Sequence, residues 1–270
     1  LAACGDAEPR APEPSWSVVA ESPAAALLSV HGSSASDVWL VGADAGDGPL
    51  VLHWDGSSWE RKSTDLRGAL WWVQAHADGD VYMSGSDSHV LRYRDGTFER
   101  LPTPELDTVV FGVWANTRDD VYAVGGEQGS NGFIWHHDGE SFRELPLPDD
   151  LPTGESSDPP GFFKVWGRAS DDVWVVGALG TVLRGDATRG FSIVSAGGED
   201  SLFTVHGDAN DVAIVGGFSN GIVLEDHGQG LVPIQPDNPD ALHGTHIGHG
   251  WTYVVVEDPD AHCARARAAG

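Results

Sequence analysis

Cysteine is nearly absent. Cys4 and Cys263 are the two in 270 residues, so at most one disulfide can staple the chain. Basic residues are scarce as well: 15 Lys and Arg stand against 41 Asp and Glu, a formal charge of −26. That balance argues against nucleic acid and against electrostatic attachment to anionic lipid. It leaves a cationic partner, bound divalent cations or simple solubility. No apolar run is long enough to span a bilayer, and no amphipathic helical period occurs. His-Glu-x-x-His, the P-loop and the dinucleotide fingerprint are all missing. So are the full Asp-box of sialidases and the WD40 signature. Acid pairs abound, but in so acidic a chain they do not point to glycosidase carboxylates.

What is present is a repeat. Its clearest copy runs from Phe162 to Gly177, two β-branched and aromatic runs around the polar turn Arg168–Asp172. With the valine of the first run as anchor, copies sit at Val30, Val73, Val113, Val165 and Val205, and a weaker one at Thr245. Successive anchors lie 43, 40, 52, 40 and 40 residues apart. A second run follows each, ending in Gly42, Gly85, Gly125, Gly177 and Gly216, and in Val256 in the last copy. Two further strands follow in most copies, joined by Asp55-Gly56, Asp95-Gly96 and Asp138-Gly139, dipeptides that suit tight hairpins. Four antiparallel strands in about 40 residues is the length of a propeller blade, and blades must stack to bury both faces. The expectation is an all-β, six-bladed β-propeller. Its first strands fall near 27–32, 70–75, 109–115, 162–167, 202–207 and 242–247. Residues 15–270 form one domain, in which the N-terminal strand around Trp16 completes the last blade and removes exposed sheet edges.

In an up-down blade the first-to-second and third-to-fourth turns share one face, and the remaining loops share the other. The first face is uniform, with an Asp just before each second strand that reads as a turn-capping residue bonded to backbone N–H groups. The second face is variable and acidic, and function on a rigid scaffold concentrates where loops vary. Its candidate binding residues are Asp44, Asp47, Asp65, Asp87, Glu105, Asp107, Glu127, Asp149, Asp150, Asp158, Asp258 and Asp260, with Arg67 nearly the sole counter-charge. Trp71 joins them, because it neighbours Trp72 and one of the two must face away from the other. Asp44 with Asp47, or Asp258 with Asp260, offers oxygen ligands of the kind calcium takes, without a complete calcium-loop pattern.

Twelve histidines are the one hint of chemistry. His31, His206 and His246 occupy the position after the anchor, on the strands nearest the ring axis. Neutral imidazoles converging there would suit Zn or Cu. The equivalents elsewhere are Gln74, Trp114 and Trp166, which instead suggest a packing slot between blades. His243, His246 and His249 also form a His-x2-His-x2-His run, whose strand parity splits it between two faces.

The chain begins Leu1-Ala2-Ala3-Cys4, which resembles the lipobox of bacterial lipoproteins, where the cysteine carries the lipid. Residues 1–14 then read as lipobox remnant and tether. The rival is a Cys4–Cys263 disulfide; both place the protein outside the cytoplasm. The pattern Val-Trp-Gly-x-x-Ser-x-Asp-Val-Trp-x-Val-Gly at 165–177, with His-Trp-Asp-Gly-x-x-Trp at 53–59, resembles repeats of secreted propeller lipoproteins from myxobacteria and their relatives. The resemblance implies a propeller fold and a location in the bacterial cell envelope, and it supplies no catalytic residues. The reading is a lipid-anchored, monomeric, non-catalytic scaffold binding a cationic protein, peptide or glycan. The alternative is a metal-binding or enzymatic propeller built on the channel histidines.

Overall fold

The computed structural model describes residues 25–105, 107–127, 129–154, 157–217, 222–226 and 231–233. These form five four-stranded antiparallel sheets, each a blade of consecutive strands. Blade 1 holds β1 (Leu27–Ser34), β2 (Asp37–Asp44), β3 (Pro49–Trp54) and β4 (Trp59–Arg61). Blade 2 holds β5 (Leu70–Ala75), β6 (Val81–Gly85), β7 (Val90–Arg94) and β8 (Thr97–Arg100). Blade 3 holds β9 (Val110–Thr117), β10 (Asp120–Gly125), β11 (Phe133–His137) and β12 (Phe142–Glu144). Blade 4 holds β13 (Phe162–Ala169), β14 (Asp172–Gly177), β15 (Val182–Asp186) and β16 (Gly190–Ile193). Blade 5 holds β17 (Leu202–Gly207), β18 (Val212–Gly216), β19 (Ile222–Asp226) and β20 (Leu231–Pro233).

Among the described residues the propeller has five blades, which corrects the expected six. The sixth copy, at 242–256, and the closing strand around Trp16 lie outside the described residues. The five described blades share a contact. The glycine ending each second strand lies against the carbonyl of the residue before the first: Gly42 on Ala26, Gly85 on Ala69, Gly125 on Val109, Gly177 on Gly161 and Gly216 on Ser201. A Cβ at any of these glycines would overlap that oxygen. The next residue donates its N–H to the same carbonyl, at 2.9–3.0 Å in all five blades. The sixth copy carries Val256 at this position.

Burial follows the pleat of the strands. The anchor valines Val73, Val113, Val165 and Val205 are buried and face the preceding blade, where they join Val41, Val51, Tyr82, Val90 and their equivalents in the interblade cores. The inner strands contact one another around the axis, β1 with β5, β5 with β9, β9 with β13 and β13 with β17. Tight hairpins close at the Asp-Gly steps, with Gly56 at φ 94° and Gly139 at φ 97°.

Candidate functional site

Three groups of residues meet on the propeller: the regular-turn face, the channel and the variable-loop face. On the regular-turn face the Asp just before the second strand in blades 1–4 binds side chains rather than turn N–H groups, which corrects the turn-capping reading. Asp37 accepts hydrogen bonds from Ser33 Oγ and, at 2.9 Å, from Trp39 Nε1, and its carboxylate lies 2.8 Å from His53 Nε2 on the third strand. Asp120 meets His136 in the same way at 2.9 Å, and Asp172 pairs with Arg184 at 2.6 Å and Arg168 at 2.5 Å. Asp80, buried, joins Arg94 of its own blade at 2.8 Å to Arg118 of the next at 3.2 Å. Three of these bases lie against an aromatic ring of the second strand: His53 on Trp39, His136 on Tyr122 and Arg184 on Trp174. These carboxylates tie strands and blades together. A cavity of about 640 Å³ opens between blades 3 and 4 on this face, lined by Asp119, Asp120, Asp171 and Asp186. Asp120 is held by His136 and Asp186 by Arg189, so the lining is largely self-satisfied.

In the channel, the position after each anchor points to the next blade. His31 Nδ1 accepts the Ala75 N–H at 3.1 Å, and Gln74 Oε1 accepts the Ala115 N–H at 2.7 Å. Trp114 covers Gly167 and Trp166 covers Gly207, where a Cβ would overlap the indole. His206 lies against Trp166, ring centroids 5.6 Å apart. Of the three candidate metal ligands, His246 lies outside the described residues. Among the described residues no group of three or more His, Cys, Asp or Glu is placed to hold a metal. The surroundings of His31 and His206 are cationic. Burial first, then the charge of Lys164 and then that of His206, lowers the His31 pKa from 6.5 to about 4. Burial and Lys164 lower that of His206.

This predicts an acid-sensitive slot. A histidine with a folded pKa below its unfolded 6.5 contributes stability that is complete above 6.5 and lost as the pH falls toward 4. His31→Gln, which installs the acceptor already used by Gln74, does not titrate. Its stability should fall less between pH 7.5 and pH 5.5 than the parent's, by about 1.5 kcal/mol, in urea denaturation at the two pH values. An identical pH dependence in both proteins would refute it.

On the variable-loop face the candidate acids divide. Asp44 is a clasp: its carboxylate accepts the N–H groups of Gly46 at 2.7 Å, Gly48 at 3.0 Å and Gly68 at 3.1 Å, and these bonds lower its pKa. Asp65, Asp87 and Asp107 take left-handed backbone conformations, φ 55°, 53° and 66°, which Asp tolerates at loop tips. They and Asp47, Glu105, Glu127, Asp149, Asp150 and Asp158 are exposed, spread over the loops of blades 1–4. Asp258 and Asp260, like Cys4, lie outside the described residues. Arg67 is not the sole basic side chain here: Arg61 reaches the Asp47 carbonyl and Arg100 the Asp87 carbonyl.

At the centre of this face lies a feature the sequence did not announce. Trp71 is 38 % exposed, and its ring meets Phe111 at 5.6 Å, Phe111 meets Phe163 at 5.7 Å and Phe163 meets Phe203 at 5.5 Å. The four come from the inner strands of successive blades and form an aromatic collar at the channel mouth. Adjacent tryptophans flagged Trp71; the three phenylalanines were legible only as repeat positions two residues before the anchor.

No family model and no curated protein sequence matches this chain. Solved structures do. "YCF48 bound to D1 peptide" superposes with a TM-score of 0.56 at 17 % identity, over 81 % of this chain and 69 % of that one. The computationally designed Ika8 protein superposes with a TM-score of 0.53, also at 17 % identity, over 79 % of this chain and 71 % of its own. At this identity the likeness is one of fold.

Proposed function

We propose that the chain is a non-catalytic binding scaffold whose acidic variable-loop face captures a cationic protein or peptide, and that a lipid on Cys4 holds it on the outside of the bacterial cytoplasm. The observation that carries the binding reading is the half-exposed aromatic collar at the centre of a face whose exposed side chains are mostly carboxylates. Exposed aromatic surface ringed by polar groups marks interaction sites on propellers and other rigid scaffolds alike. The similarity in fold to a protein captured with a peptide agrees with it. The anchor rests on the likeness of Leu1-Ala2-Ala3-Cys4 to a lipobox and on the Pro- and charge-rich residues 5–14 after it.

The test is calorimetric titration of the soluble Cys4→Ser chain with Lys-rich peptides and with their Glu-rich counterparts. The basic peptides should bind and weaken steeply between 50 and 300 mM salt, while the acidic ones should not bind. Equal binding of both sets, or of neither, would sink the reading. For the anchor, the full-length precursor expressed in a bacterium should fractionate with membranes and lose them on Cys4→Ser; a Cys4–Cys263 disulfide found by mass spectrometry would overturn it.

A further inference from the structure

We infer that the aromatic collar is the anchor subsite of this face, taking one aromatic or branched aliphatic side chain from a peptide segment whose flanking residues are Lys or Arg. The inference rests on the binding-scaffold reading and adds to it the chemistry of the anchoring residue.

The collar is built by a backbone device repeated in all five blades. The ladder between first and second strands slips by one residue between Leu27 and Ser29, Leu70 and Trp72, Val110 and Gly112, Phe162 and Lys164, and Leu202 and Thr204. The residue left out of the ladder is Leu28, Trp71, Phe111, Phe163 or Phe203. A β-bulge re-aims the side chain it carries. Here the bulge lies at the start of each inner strand, opposite the glycine that ends the second strand, and so at the variable-loop end of the channel. Every bulged residue is large and apolar, and among the described residues those of blades 2–5 touch in sequence.

Below the collar, among the described residues, the Lys164 side chain reaches from blade 4 to blade 2. Lys164 Nζ lies over the face of Trp72, and the strand of blade 4 passes so close to Gly112 that a Cβ there would meet Lys164 Cα at 3.2 Å. The collar is therefore shallow, with an amine and an indole for a floor. Among the described residues its walls are aromatic and carry no carboxylate. A cationic side chain would find no counter-charge inside it and an amine beneath it, so the apolar part of a ligand belongs there. The counter-charges stand outside, on Asp47, Asp65, Asp87, Asp107, Glu127 and Asp158. Apolar centre and anionic rim together fit a segment with one bulky apolar residue between basic ones.

Three peptides of identical Lys and Ser flanks, differing only in a central Phe, Leu or Ser, titrated into the full chain by calorimetry, test this. The Phe and Leu peptides should bind about 30-fold more tightly than the Ser peptide, the advantage of burying one such side chain. Trp71→Ala, a change at an exposed site, should bring the Phe peptide down to the Ser peptide and leave the salt-dependent binding of the latter unchanged. Equal affinity of all three for the parent chain refutes the subsite while leaving the scaffold reading standing. No binding by any of them refutes the scaffold reading itself. A dimer that dissociates on Trp71→Ala in sedimentation would assign the collar to a second copy and overturn the inference, as would a collar blind to all three peptides because another part of this chain fills it.

Discussion

Replacing Lys164 with methionine is expected to stabilise the protein by about 2–4 kcal/mol at pH 7. Lys164 sits on the inner strand β13 and is 4 % exposed. Its Nζ has no hydrogen-bond partner among the described residues and rests on the Trp72 ring. A ring face offsets only part of the cost of stripping water from an ammonium. Burial accordingly drives the Lys164 pKa far below the ordinary lysine range. A lysine with a folded pKa below its unfolded value, about 10.4, contributes stability that is complete above that value and lost as the pH falls through the folded one. At pH 7 the amine is therefore a net cost. Methionine keeps the length of the side chain and a favourable sulfur–aromatic contact without the charge. Guanidinium denaturation should show the gain at pH 7 and its shrinkage toward zero near pH 10. A loss of stability at pH 7 would instead mean that Lys164 has an anionic partner.

Gly85→Ala is expected to cost about 3 kcal/mol. Gly85 ends β6 with its α-carbon against the Ala69 carbonyl, the point where blade 1 hands the chain to blade 2, and a methyl group would overlap that oxygen. The oxygen also accepts the Ser86 N–H at 2.9 Å. Relieving the clash means moving the crossing away from the strand, which weakens that bond and opens the core beneath Leu70 and Val73. The steric part is worth about 1–3 kcal/mol and the hydrogen bond about 1 kcal/mol. Gly198→Ala serves as the comparison, because a Cβ there meets nothing within 4 Å. It should leave stability within about 0.5 kcal/mol of the parent. Denaturation midpoints at constant slope measure both; a Gly85 variant as stable as the Gly198 variant would refute the role of the glycine.

Much of the propeller was legible as a repeat. Val30, Val73, Val113, Val165 and Val205 all lie on inner strands, and the Asp-Gly steps all close outer hairpins. These features are local: a β-branched run, a turn dipeptide and a 40-residue period recur because each blade solves the same folding problem. The glycine that ends each second run was legible as a repeat position, but its approach to the preceding crossing was not, because that contact joins parts of the chain about 15 residues apart. The described residues hold five blades, and the copy that carries Val256 lies outside them. The Asp before each second strand was visible in the sequence, but its bonds were not. The partner of Asp37 is His53, 16 residues away, and that of Asp80 includes Arg118, 38 residues away.

By itself the sequence determined the kind of fold, the positions of the strands and the acidic character of the loops, since composition and short-range pattern decide these. The tertiary structure alone decided which side chains meet at the axis. Trp71, Phe111, Phe163 and Phe203 are 40 to 52 residues apart in sequence, and strict alternation would have sent them into the interblade cores. One extra residue in each inner strand turns them to the channel mouth instead. The same geometry buries Lys164 beneath them, a placement no charge pattern foretells, because the groups around that side chain, Trp72 and Gly112, come from other blades.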